Sequence, residues 1–325
     1  MSNIPNHMRA AAIDHFGGPE VLTIHDMAVP ALLDSEVLIA LDTSGVGSWD
    51  ADIREGWHPG KHSPSLPLVP GTDGAGEVVA VGRHVNHFKP GDLVYSYSFY
   101  NPFKKGGFYA ENVVVPEEMV GHIPENLDLE KAGAIATTGL TALQGIDDHL
   151  KVTSGQIVLV HGASGGVGTL AVQFAKLRGA RVLATASGGD GVSLVQSLGA
   201  DDVVDGRSDK LQAALERMAP DGVDAILGLS GGKELELCLK ILRRGGTCAY
   251  PNGIEPEPDP QHGIEIISYD AVSSNKHFKL LNQAAEEADL QVPIADSYAL
   301  EFASTAHERL EAGHVLGKIV LRILR

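Results

Sequence analysis

The feature that most constrains this chain is the run GQIVLVHGASGGVG at residues 155–168. An apolar strand, Ile157–Val160, passes directly into a glycine-rich loop that opens a helix at 166–178. Glycine lets a backbone turn sharply and approach a ligand without a Cβ in the way. A helix N-terminus adds unpaired N–H donors and the positive end of its dipole. Strand, tight loop and helix in that order are what a dinucleotide pyrophosphate requires. The spacing Ala163-x-Gly165-x-x-Gly168 fits the fingerprint, with alanine where the first glycine usually stands. Ala163, Ser164, Gly165, Gly166, Val167 and Gly168 are therefore expected to hold the cofactor, and Ser164 is not read as a hydrolase nucleophile.

The surrounding rhythm supports a doubly wound α/β domain. After the loop helix come strand 182–185, helix 192–198, strand 203–204, helix 210–219, strand 223–227, helix 234–242, and strands 247–250 and 264–267. Repeated units of this length predict a parallel six-stranded sheet covered by helices on both faces. The first third reads as β-rich. Residues 36–41 form a strand apolar on both faces, 74–82 and 91–97 are further strands, and 56–71 is a loop. A Pro-rich connection, 251–263, precedes a tail of helix, strand, helix 302–312 and strand 317–323, which is placed back on the first domain. The expected boundaries are 1–126 with 270–325 for the β-rich domain and 127–269 for the dinucleotide-binding domain, consistent with two domains in 325 residues.

The end of the second strand bears on the cofactor. An NAD site usually carries an acid there to bond the ribose 2′-OH, but this strand ends at Ser187. A hydroxyl can donate to a 2′-phosphate that an acid would repel, so NADPH is favoured, with NADH possible. Arg207, beyond the third strand, is a candidate counter-charge. Tyr250 and Asn252 end the fifth strand, where a nicotinamide lies in this fold.

A net charge of −17 disfavours nucleic-acid backbones as partners. The two cysteines, Cys238 and Cys248, lie in apolar segments and are too few for a four-cysteine zinc lobe. The pairs His58 and His62, and His84 and His87, sit in loops and turns and read as surface histidines. No signal-type apolar region opens the chain, and no stretch has the roughly 18 apolar residues that span a bilayer. A cytoplasmic protein without a membrane partner is expected.

These segments together resemble the medium-chain dehydrogenase/reductase superfamily over essentially the whole chain. The resemblance is carried by MRAAAIDHFGGPEVL at 8–22, GVGSWDADIREG at 45–56, PGTDGAGEVVAVG at 70–82, TTGLTAL at 137–143, the phosphate loop, LGADDVVD at 198–205 and GHVLGKIVLRI at 313–323. It implies a GroES-like catalytic domain interrupted by a Rossmann domain. In zinc alcohol dehydrogenases a Cys, a His with a neighbouring Glu, and a second Cys or Asp hold catalytic zinc. The matching positions here are Gly47, Thr72 with Asp73, and roughly Ala134, and Gly47, Thr72 and Ala134 are not zinc ligands. The chain is thus similar to the zinc-free quinone oxidoreductases, the zeta-crystallin-like family.

That resemblance implies hydride transfer from NADPH to a quinone or other conjugated carbonyl. The alternatives are an enone or alkenal double-bond reductase and a non-catalytic, crystallin-like NADPH binder. It places Thr138 beside the cofactor, counts Lys318 among the cofactor-binding residues, and sets Ser48, Trp49 and Asp50 at the edge of the substrate pocket. No metal ligand is assigned, and no residue stands out as a general acid. A homodimer is implied through the sixth Rossmann strand. Quinone reductases of this type often carry Asn near Gly47, Tyr near Asp52, Lys near Gly191 and Tyr near Gly206. This chain carries none of the four.

Overall fold

A computed structural model describes residues 6–59, 64–260 and 262–323; His62 lies outside them. Apolar strand patterns and tight glycine turns build the first layer. A hairpin, β1 (His7–Ala12) with β2 (Thr23–Ala28), flanks a mixed sheet. That sheet holds β3 (Glu36–Val46), β4 (Asp73–Val81), β5 (Leu93–Tyr97), β6 (Asn112–Pro116) and β7 (Val120–His122), joined by β14 (Ile294–Ala299) and β15 (Lys318–Arg322) from the end of the chain. Its order is β14-β15-β3-β4-β5-β7, with β6 also paired to β3. β3 is apolar on both faces as expected, since Val37, Leu38, Ile39 and Leu41 are all buried. It runs five residues further than the pattern predicts, through Asp42–Val46. There the buried polar Ser44 donates to the carbonyl of Asp73 at 2.9 Å, a bond that apolar alternation does not reveal.

The second layer is the expected parallel six-stranded sheet. Its strands are β8 (Ile157–His161), β9 (Arg181–Ala186), β10 (Asp202–Asp205), β11 (Val223–Gly228), β12 (Leu242–Pro251) and β13 (Glu265–Tyr269). They lie in the order β10-β9-β8-β11-β12-β13, so the chain reverses direction of travel beside β8, where the phosphate loop sits. Helices α4 (Gly166–Leu177), α5 (Gly188–Ser197), α6 (Leu211–Met218) and α7 (Lys233–Leu239) make the crossovers.

Two strand and helix starts in this layer differ from expectation, and α7 ends three residues before the expected 242, at Leu239. α5 starts at Gly188 because the Gly188 N–H is held by the Asp205 carboxylate at 3.2 Å, despite two helix-weakening glycines. β12 starts at Leu242, and the segment RRGG is absorbed as a bulge between the Val223–Leu242 and Ala225–Thr247 pairings.

Five further α-helices occur among the described residues: α1 (Ser48–Glu55), the short α2 (Asn101–Lys104), the long α3 (Leu129–Gln144), α8 (Asn275–Glu287) and α9 (Ala303–Glu311), the last at the helix expected over 302–312. α3 joins the apolar cluster that includes strand residues from both sheets, Ala75 and Tyr95 with Val158 and Val160. Its small residues serve contact distance. A Cβ on Gly133 would stand 2.8 Å from the Thr43 side chain, and one on Gly139 3.0 Å from Leu281. Among the described residues, no helix is long and apolar enough to cross a membrane.

Candidate active site

Between the two sheets lies a cavity of about 240 Å³. It brings together three parts of the chain. The phosphate loop contributes Gly165, Gly166, Val167 and Gly168; the α1 start contributes Ser48, Trp49 and Asp50; Thr138, Asn252 and Lys318 close the sides.

The loop has the form a pyrophosphate needs. Gly162 takes φ +80°, so the sharp turn falls one residue before Ala163, and alanine at 163 is tolerated there with its side chain fully buried. A Cβ on Gly168 would lie 2.5 Å from the Ala163 Cα, so this glycine lets α4 dock on β8. A Cβ on Gly165 would meet only the Gly162 carbonyl, at 3.7 Å. The space in front of the α4 N-terminus is therefore open, and the first-turn N–H groups there lack intrahelical acceptors. A dinucleotide pyrophosphate fits this cradle.

Not every expected contact faces the cavity. Ala163 and Ser164 are buried behind the loop. Residues 162–166, GASGG, do spell the letters of a nucleophile elbow. The Ser164 Oγ instead accepts the Ser187 N–H at 3.3 Å, tying loop to second strand. Tyr250 is buried and outside the cavity wall, whereas its neighbours Pro251 and Asn252 line it.

Ser187 precedes α5 away from the cavity without a side-chain cap bond to it, and its Oγ lies 2.9 Å from Nδ1 of His314. Nε2 of His314 pairs with Asp190 at 2.9 Å, which holds that carboxyl below the usual aspartate range. Arg207 is exposed, and its backbone N–H bonds Asp205. Sequence reasoning missed His314, which is 127 residues from Ser187.

The pocket end is unusual in its charges. Asp50 and Asp73 are buried, as is Lys318. Asp73 accepts the Thr137 N–H at 2.9 Å. The Lys318 Nζ would lie 3.4 Å from a Cβ placed on Gly47, and its Cε 2.9 Å from one on Gly45. The lysine ammonium thus stands where a side chain at position 47 would project.

Asp50 caps its own helix, its Oδ2 accepting the Gly47 N–H at 2.8 Å, and also accepts the Tyr109 hydroxyl at 3.3 Å. Its Oδ1 is buried without a hydrogen-bond partner. Burial, and then the nearby Asp73 charge, push the Asp50 carboxyl up to about 7, partly opposed by Lys318.

Trp49 belongs to an aromatic group, with ring centroids 4.9 Å from Trp57 and 5.2 Å from Phe99, both edge-on. Among the described residues, no group of three or more His, Cys, Asp or Glu is placed to hold a metal. Cys238 and Cys248 are buried and unpaired, and burial raises both thiols above the usual range.

A parallel sheet with its phosphate loop at the crossover point, facing a β-rich domain across a cleft, defines a nicotinamide-dependent dehydrogenase or reductase. The chain matches the family model described as alcohol dehydrogenase GroES-like domain over residues 33–125 and the zinc-binding dehydrogenase model over residues 166–279. It is 35% identical to a quinone oxidoreductase of Sus scrofa, covering 97% of each chain. It is 30% identical to a chloroplastic NADPH-dependent alkenal/one oxidoreductase of Arabidopsis thaliana, covering 98% of this chain and 81% of that one. A solved structure of an NAD-dependent alcohol dehydrogenase superposes with a TM-score of 0.89 at 33% identity, covering 98% of this chain and 100% of that one. The chain belongs to the medium-chain dehydrogenase/reductase superfamily and, within it, to the quinone oxidoreductase family. It is an oxidoreductase that binds a nicotinamide cofactor.

Proposed function

We propose that the protein reduces a conjugated carbonyl, a quinone or an enone, with NADPH and without zinc. The observation that carries this reading is the pocket end of the cleft, where Gly47 and Thr72 offer no soft ligand and the Lys318 ammonium occupies the adjoining space. A reduced nicotinamide supplies a hydride when bound. The residues of this chain bind, orient and exclude water. The phosphate loop anchors one end of the cofactor, Thr138 and Asn252 flank the other, and Trp49 offers an aromatic face to a planar acceptor. Activated acceptors need little polarisation, so a Lewis acid is dispensable. The relationship to an alkenal/one oxidoreductase favours enones as the second substrate class.

A screen of NADPH oxidation against quinones, enones and aldehydes, before and after exhaustive chelation, tests this reading. Quinones or enones should be reduced at rates that chelation does not change. Turnover of simple aldehydes alone, or loss of activity with chelator restored by zinc, refutes it. Bound NADPH that no acceptor oxidises would instead favour a non-catalytic binder.

The preference for NADPH rests on Ser187 standing where an acid would repel the 2′-phosphate, with Arg207 nearby in the chain. It should be modest, because Asp190 and Asp205 lie beside the same site. Fluorescence titration should show tighter NADPH than NADH binding, and Ser187→Asp should reverse the order. Equal binding of both by the wild type counts against it.

A further inference from the structure

Hydride addition to a conjugated carbonyl leaves an enolate anion that must take up a proton. A reduced nicotinamide is a hydride source and brings no acid. A chain of hydrogen bonds behind the pocket supplies one. It begins at Arg54, whose side chain is fully buried and whose guanidinium is paired with Glu311 at 2.6 Å. Its Nη1 lies 3.1 Å from Nδ1 of His307. A guanidinium has only donors to offer, so Nδ1 must accept, and the ring hydrogen sits on Nε2. Burial, and then the Arg54 charge, push the His307 ring down to about 3 and keep it neutral.

Nε2 lies 3.0 Å from the Tyr109 Oη and therefore donates to it. The single hydroxyl hydrogen of Tyr109 is then free to go to Oδ2 of Asp50, 3.3 Å away. Oδ2 already accepts the Gly47 N–H at 2.8 Å. With both its lone pairs engaged by donors, Oδ2 has no place for a proton. Oδ1 has no hydrogen-bond partner, and Asp50 forms part of the cavity wall.

We propose that Asp50 is the proton donor of the reaction, its acid proton fixed on Oδ1 by the Arg54–His307–Tyr109 chain that occupies Oδ2. This rests on the conjugated-carbonyl reading. For an enone, a hydride from the reduced nicotinamide forms the new C–H bond at the β-carbon, and the C=C pair moves to give an enolate. The Asp50 O–H bond breaks, its proton goes to the α-carbon of the enolate, and the enolate pair that forms the new C–H bond leaves the C=O re-formed. The enone, the reduced nicotinamide and one proton become the saturated ketone and the oxidised nicotinamide. Asp50 remains as a carboxylate and regains its proton from water entering the cleft.

The groups facing Asp50 suit both states. Asp73 on β4 disfavours the carboxylate, Lys318 on β15 steadies it once formed, and the hydroxyl of Tyr109 is held un-ionised by burial. Tyr97 at the end of β5 also feels the Asp50 charge and is likewise kept neutral by burial. Tyr109 and His307 are positioning residues; they decide which oxygen holds the proton.

The test compares wild type, Asp50→Asn and Tyr109→Phe by infrared spectroscopy of the cofactor-free protein and by kinetics. Wild type should show a protonated-carboxyl band at pH 6 that fades by pH 9 and is missing in Asp50→Asn. In Tyr109→Phe the band should persist but shift in frequency, because Oδ2 loses a donor. With an enone, kcat of Asp50→Asn should fall roughly 10²–10⁴-fold, while the NADPH dissociation constant holds. The fall of wild-type kcat above about pH 7 should vanish in Asp50→Asn. An active wild type whose Asp50→Asn variant keeps its kcat, or keeps the carboxyl band, overturns the donor role alone. A wild type whose NADPH is oxidised by none of the quinones or enones overturns the functional reading and the donor role with it, whatever the band shows.

Discussion

At the scale of single residues, two glycines of one loop do different work. At Gly165 there is open space and an ordinary backbone, φ −84°. Gly165→Ala should leave the melting temperature unchanged and weaken cofactor binding at least about tenfold, because the methyl group takes the room of the pyrophosphate. Gly168→Ala should do the reverse first. Its Cβ falls 2.5 Å from both the Ala163 Cα and the Gly162 carbonyl oxygen, an overpacking that costs about 1–3 kcal/mol and lowers the melting temperature even without cofactor. Thermal melts and NADPH titrations on both variants separate the two.

Asp50 makes a second residue-scale prediction. Burial, and then the Asp73 charge, raise its folded-state pKa to about 7, above the ordinary aspartate value of 3.8. The unfolded chain then loses this proton first as pH rises, so the stability Asp50 contributes is full below about pH 4 and lost as pH climbs through 7. Asp50→Asn cannot titrate. Its stability relative to wild type should rise between pH 4 and pH 8, by up to about 4 kcal/mol at 1.36 kcal/mol per pH unit. Parallel denaturation curves at the two pH values in the variant and in wild type would refute the assignment.

At the scale of elements, what was legible followed local chemistry. The phosphate loop, the six parallel strands and the strand at 317–323 are written in glycine placement and apolar runs. α3 was not, because Gly133, Gly139 and the Thr137–Thr138 pair are weak helix formers; they are present so that the helix can lie close to Thr43 and Leu281. The acid chain behind Asp50 was equally hidden. Tyr109 is 59 residues from Asp50, and His307 is 198 from Tyr109, so no spacing rule joins them. Asp50 was legible as a pocket residue, and its partners were not.

The turn into β15 is where the elements of the two sheets meet. The Gly317 N–H donates to the Ser164 carbonyl at 2.9 Å, and Gly317 takes φ +97° with the Pro293 carbonyl 2.2 Å from where a Cβ would go. Gly317→Ala is therefore strained on two counts, by roughly 1–3 kcal/mol for the backbone alone. It should lower the melting temperature and also weaken NADPH binding, since the same turn positions Lys318 beside the loop. A variant that melts lower but binds NADPH normally would show that the turn and the loop are not coupled.

At the scale of the whole molecule, the six-stranded sheet ends on β13, which among the described residues pairs with β12 alone. The strand reads EIISY, with Ile266 and Ile267 half-buried and a single charge at Glu265. An unpaired apolar edge invites association, and a two-fold axis satisfies it with the same strand from a second copy. The Pro-rich segment before β13 does not serve as a cap in its described contacts. The Asp259 N–H bonds Glu236 on α7 at 3.0 Å, and the Pro256 carbonyl presses on Gly231, so this segment turns toward α7. Among the described residues its bonds near the edge strand extend the β12 side of the ladder, the Asn252 N–H donating to the Tyr269 carbonyl at 2.9 Å and the Gly263 carbonyl accepting the Gly245 N–H in the turn before Thr247. A homodimer through β13 is therefore expected, with light scattering giving about twice the chain mass of 34.2 kDa. Ile264 and Ile266 lean on the apolar cluster around Leu159 and Leu239, so the probing charge belongs on the other face, at Ile267. Ile267→Lys should yield monomer or aggregate at micromolar concentration while NADPH still binds. A wild-type monomer rules the dimer out, and a fully dimeric Ile267→Lys variant moves the interface elsewhere.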